Sequence, residues 1–232
     1  MVRYFLLLVL FVSMVFAGER ALEAYRKKDY NKAFKLYMID AKNGDSVAQN
    51  AVSYLYFNGI GTDKNIEEGV LWLKKSATNM NANAQYDLAM MYLLGHNVKK
   101  DLHLAKDWFE SSSDLGNVNA QYNLALMYYR GDGVKQDVNK AAELLEKAAI
   151  KGHKGAIQNV GIVYMQLIKF DKATKWLEIN AKNGDKNAYY LLAEAYCNLE
   201  KFPQAKKWTK KAMDIGNKEA FNLWKKYNLE KY

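Results

Sequence analysis

The chain has 232 residues, one proline, one cysteine and a net charge of +9 from 34 basic against 25 acidic side chains. Half of it is hydrophobic and 13% is aromatic, which excludes compositional disorder. A single cysteine, Cys197, excludes an internal disulfide. The basic excess is almost all lysine spread along the chain, with Arg20, Arg26 and Arg130 the only arginines after Arg3. That is a solvated surface with a weak attraction for acidic surfaces, not the arginine cluster of a nucleic-acid binder.

The first element is the N-terminus. Arg3 precedes an uncharged run from Tyr4 to Ala17, and Val15 and Ala17 are the small residues that a cleavage site before Gly18 requires. Residues 1–17 read as a secretory signal peptide, too short for the roughly 20 apolar residues that span a bilayer. No cysteine follows the apolar run to carry a lipid. The expectation is export to a bacterial periplasm or beyond. An uncleaved anchor or a buried apolar helix is the alternative.

From residue 18 onward the chain repeats itself. "NAQYDLAMMYLLGHNVKKD" at 83–101 returns as "NAQYNLALMYYRGDGVKQD" at 119–137. Ala48, Ala84, Ala120 and Ala156 are 36 residues apart, and Ala188 follows after 32. Each is followed by an aliphatic residue, then a small one (Ser53, Ala89, Ala125, Gly161, Ala193), then a tyrosine (Tyr56, Tyr92, Tyr128, Tyr164, Tyr196). The spacing of three to four is helical and defines a helix A. A second helix, B, pairs a small residue with a large apolar one three later: Ala33–Leu36, Gly69–Trp72, Ala105–Trp108, Ala141–Leu144, Ala173–Trp176 and Ala205–Trp208. Gly44, Gly116, Gly152, Gly184 and Gly216 fit left-handed caps that end helix B, and Met80 breaks the rule in the second copy.

The units run over about 18–45, 46–81, 82–117, 118–153, 154–185 and 186–217. A last helix in 218–232, with Ala220, Leu223, Trp224 and Tyr227, covers the exposed end. One helix pair cannot bury both faces, whereas stacked pairs share a continuous core. Residues 18–232 are therefore expected to be all-α: a right-handed α-solenoid of about six helix-turn-helix repeats with a C-terminal capping helix, helices A lining its concave side.

Several residues carry a more specific likeness. They are A-Q-x-x-L-A-x-x-Y in Ala84–Tyr92 and Ala120–Tyr128, the loop Gly131–Val134, Asp137, and the Ala-rich run Lys140–Gly152. In these the chain resembles the Sel-one-like repeat (SLR) family, a relative of the tetratricopeptide repeats. The likeness is specific in the second to fourth units. The first, fifth and sixth lack four loop residues and look like plain tetratricopeptide pairs.

The loops after helix A read Asn58-Gly59-Ile60-Gly61, Leu94-Gly95-His96-Asn97 and Arg130-Gly131-Asp132-Gly133. No strand precedes them and no Gly-Lys-Ser/Thr ends them, so they are turns and not phosphate loops. Asp132 alone cannot make a calcium loop. His96, His103 and His153 lack metal-ligand spacing, so no metal or cofactor is expected. The resemblance raises an enzyme alternative, since some cysteine-rich SLR proteins are described as penicillin-binding or β-lactamase-like. This chain departs from them: it lacks regular cysteines, Ser-x-x-Lys and Lys-Thr-Gly, and the run Ser111–Ser113 has no base beside it in sequence.

The resemblance points instead to a groove along helix A that binds a protein or peptide partner in the cell envelope. By that likeness the facing residues are Asn50, Tyr54 and Phe57; Asn83, Tyr86, Met90 and Leu93; Asn119, Tyr122, Leu126 and Tyr129; Gln158, Ile162 and Met165; and Asn187, Tyr190, Glu194 and Cys197. Asparagine can bond an extended backbone, tyrosine offers area at low entropic cost, and methionine adapts to irregular partners. Tyr86, Tyr122 and Tyr190 fit equally well between neighbouring helices. The expected molecule is a monomeric interaction scaffold that binds no nucleic acid.

Overall fold

The computed structural model describes residues 18–232, so the leader expected over 1–17 lies outside the described residues. Helices follow one another without a strand among the described residues. After α1 (18–26) come α2 (Tyr30–Lys42), α3 (Ser46–Asn58), α4 (Ile66–Thr78), α5 (Ala82–Leu94), α6 (Leu102–Asp114) and α7 (Val118–Arg130). Then come α8 (Val138–Ile150), α9 (Lys154–Gln166), α10 (Phe170–Lys182), α11 (Ala188–Asn198), α12 (Phe202–Asp214), α13 (Lys218–Lys226) and a 3-10 turn, Leu229–Lys231. Odd-numbered helices are the A helices and even-numbered ones the B helices. The expected all-α array of helix pairs of the solenoid class is what the chain forms. Within each of two compact units, up to Ala120 and from Gln121, helices pack on their neighbours in sequence.

The repeat period is enforced at the helix ends. Before five of the A helices (α3, α5, α7, α9 and α13) stands a capping side chain: Asp45, Asn81, Asn117, His153 and Asn217 each accept a bond from a backbone N–H of the first turn. Asp29, Asn65, Asp101 and Asp137 do the same for α2, α4, α6 and α8, whereas α10 and α12 start at Lys169 and Lys201 without a side-chain cap. Each cap is worth about 1 kcal/mol. Asp137, one of the residues that carry the family likeness, is thus a helix cap. The N–H groups of Asn65, Asp101 and Asp137 also donate to the carbonyls of Tyr56, Tyr92 and Tyr128, closing each long loop.

Turn chemistry follows from the backbone. The long loops need two left-handed residues, and these are Gly59 and Gly61, Gly95 and Asn97, and Gly131 and Gly133. A short turn needs one, supplied by Lys28, Ile168 or Glu200. The glycines after the B helices adopt positive φ as expected, and so does Met80, at φ 60°. The second copy has lost the glycine but not the conformation that glycine suits.

Close approach within a pair rests on small residues. Ser53 Oγ donates to the Gly69 carbonyl across 2.8 Å. A methyl on Gly161 would come within 2.8 Å of Leu177. Around these contacts the core is aliphatic and aromatic, as where Ala41, Ala48, Val52 and Trp72 meet Phe34 and Tyr56. The glutamines of the A-Q motif tie neighbouring pairs: Gln49 and Gln85 are buried and donate to the carbonyls of Ala41 and Ala77, each across 3.0 Å. In the second unit two of the repeat tyrosines are held by carboxylates, while Tyr128 Oη accepts from Lys140. Tyr164 Oη donates to Glu146, which also accepts from Trp176, and Tyr196 donates to Glu178. Burial and the Glu146 bond push the Tyr164 hydroxyl up to about 12.

Candidate functional site: the helix A grooves

Helical spacing puts Asn50, Tyr54 and Phe57 on one side of α3. Asp87 and Met90 face them from α5, and Leu73 of α4 forms the floor of a groove of about 490 Å³. Tyr54 is 53% exposed and its hydroxyl bonds to Tyr25. Two repeat periods later the same positions form a second groove, of about 210 Å³. Leu126 and Tyr129 replace Tyr54 and Phe57, Leu145 replaces Leu73, and Asn159 and Ile162 replace Asp87 and Met90.

One position separates the two. Where the first groove has Asn50, the second unit has Tyr122. Its ring stacks on His153 at 4.2 Å, and its hydroxyl accepts from Asn159 Nδ2 at 3.2 Å. Gly155 accommodates the ring, since a Cβ there would lie 3.1 Å from it. Burial holds the His153 imidazole below its usual pKa, and its Nδ1 accepts from the Ala156 N–H, so the neutral ring is the one that fits.

The residues singled out from sequence divide accordingly. Asn50, Tyr54, Phe57 and Met90 come together in the first groove, and Leu126, Tyr129 and Ile162 in the second. Tyr86 is half-buried with its ring 5.8 Å from Phe109. Asn83 accepts from Asn117, and Asn119 lies exposed in the first turn of α7. Gln158 is exposed and lends its carbonyl to Asn180. Asn187 precedes α11 without capping it through its side chain. Tyr190 is half-buried, which raises its pKa. Cys197 is buried, with its thiol pushed up to about 11, so it belongs to the packing and not to an open face.

Asp87 and its counterpart Asn159 were not among those residues. Ala51 and Asn123 stand at the same repeat position, so no shared residue type marks it. A carboxylate at a helix A position that is uncharged in the other copies (Ala51, Asn123, Asn159 and Leu191) was the available signal.

The hydroxyls of the serine run are engaged. Ser111 Oγ donates to the Asp107 carbonyl and Ser112 Oγ to that of Ala82. Among the described residues no three histidine, cysteine or carboxylate side chains gather as a metal site would require. Nothing here favours a hydrolase.

Comparison with known proteins agrees with this architecture. The Sel1 repeat model matches residues 18–37, 46–79, 82–117 and 118–153. A protective antigen present in uropathogenic Escherichia coli strains, displaying an SLR fold, aligns over 85% of this chain with a TM-score of 0.64 and 26% identity. That alignment spans 44% of the antigen's own length. A Sel1 repeat protein from Oxalobacter formigenes is 36% identical, covering 53% of this chain and 93% of that one, with a TM-score of 0.53. A putative sel1-like repeat-containing protein, L18, of Acanthamoeba polyphaga mimivirus is 44% identical over 43 residues, 18% of this chain and 7% of that protein. Matched over more than half its length by the repeat model, and built throughout from helix pairs, the chain belongs to the Sel1 repeat family.

Proposed function

We propose that this protein is an exported scaffold of a bacterial cell envelope that grips an extended protein or peptide segment on its helix A face, chiefly in the groove between α3 and α5. The family's repeat fold is of a kind that binds protein partners. The observation that carries the reading is the open groove itself: aromatic and methionine walls face solvent where the same register in the second unit is filled by Tyr122. Tyr54 and Phe57 supply rigid contact area, Met90 adapts, and the Asn50 amide can bond a peptide backbone. A monomer without cofactor suffices for this task. Export rests on the leader-like residues 1–17, which predict a mature chain that starts at Gly18.

The test is selection of random heptapeptides displayed on phage against the purified protein. Enriched peptides whose capture disappears on Tyr54→Asp, with the helical circular dichroism unchanged, support the groove. Enrichment that ignores Tyr54 contradicts it. N-terminal mass analysis of the protein recovered from a periplasmic fraction tests export: a start at Gly18 is expected, and an intact leader contradicts cleavage.

A further inference from the structure

The first groove carries one feature that peptide binding by itself does not explain. Asp87 projects from α5 between Tyr54, Phe57, Leu73 and Met90 in a groove with no lysine, arginine or histidine in its lining. This is so although the chain as a whole carries +9. Among the described residues none pairs with the Asp87 carboxylate. Asp87 is exposed as a residue, yet the groove walls desolvate its carboxyl and raise its pKa. An unpaired carboxylate beside apolar walls is costly when the groove fills, because a bound apolar segment strips its remaining water. The cost is removed if the segment brings a cation.

The second groove sharpens the point. At the same repeat position stands Asn159, whose amide nitrogen donates to Tyr122, and the charged group in that lining is Arg130. The two grooves share a backbone register and differ in the sign of their charge. A lysine or arginine suits the first one physically: its methylene stem lies along Leu73 and Met90, and its charged end reaches the carboxylate beside the rings of Tyr54 and Phe57.

We propose that the groove between α3 and α5 selects an extended segment in which apolar side chains flank one lysine or arginine, with the cation paired to Asp87. This rests on the peptide-binding reading above and specifies its ligand chemistry.

The experiment is the same heptapeptide selection, run in parallel on the wild-type protein and on Asp87→Asn, with circular dichroism to establish that both are folded. The wild-type pool is expected to fix lysine or arginine at one position between apolar residues, and the Asp87→Asn pool to lose that preference. The best wild-type peptide, fluorescein-labelled, should bind Asp87→Asn about tenfold more weakly, with the difference shrinking as salt rises. A wild-type pool with no fixed basic position, or a basic preference that persists in Asp87→Asn, overturns the ligand assignment while leaving the groove standing. Absence of any Tyr54-dependent enrichment overturns both.

Discussion

The grooves of the two units share six repeat positions and end in different states. Between α3 and α5, Asn50 leaves about 490 Å³ open. Between α7 and α9, Tyr122 stacks on His153, bonds Asn159 and leaves about 210 Å³. One side chain at a shared register thus separates an open groove from a partly filled one. The repeat fixes where a groove can be, and the two grooves differ at the side chain six before the helix A tyrosine, Asn50 in one and Tyr122 in the other.

The comparison breaks most sharply at Tyr122. Tyr122→Asn copies the first groove into the second. It should remove the ring from His153 and cost about 2–3 kcal/mol of stability, the scale of truncating a partly buried aromatic. Urea unfolding monitored by circular dichroism measures it; an unchanged midpoint would show that the ring contributes no packing.

The next effect is pH-dependent. His153 caps α9 through a neutral ring whose pKa is held below its unfolded value. Its contribution is full above the unfolded histidine pKa of roughly 6.5 and is lost as pH falls through the lower folded value. His153→Asn preserves a cap of the kind seen at Asn81, Asn117 and Asn217, so it should flatten that acid-side loss, worth about 1 kcal/mol. Parallel pH titrations of the unfolding midpoint of both proteins check it.

The smallest effect lies in the open-groove unit. Met80 holds φ 60° where five other copies hold glycine. Met80→Gly should stabilise the protein by about 1 kcal/mol by relieving left-handed strain at an exposed site. A shift of the thermal midpoint downward would contradict that reading.

These particulars show how far the sequence could be read. Helix pairing, the unit boundaries and the turn glycines were legible because they recur: Ala84, Tyr92 and Gly95 have counterparts in neighbouring units. The cap at His153 was legible only as a helix-terminal residue. What the sequence did not disclose are features that do not recur. Tyr86 and Tyr122 occupy equivalent positions, yet one lies against Phe109 and the other on His153, a distinction that depends on the following unit. Asp87 was invisible because a repeat reading discards the residue that differs between copies. Cys197 sits at a register that elsewhere lines a groove, and it is buried. Periodicity assigns a register; packing against the next pair assigns exposure.

The most direct measurement is the affinity of one groove-selected, fluorescein-labelled peptide for the wild-type protein and for Asn50→Tyr, by fluorescence polarisation. The substitution gives the first groove the side chain that fills the second. With the fold intact by circular dichroism, the account predicts a loss of affinity of about a hundredfold, the scale of removing a binding hot spot. Equal affinity for the two proteins would contradict the claim that the groove between α3 and α5 is where this protein binds.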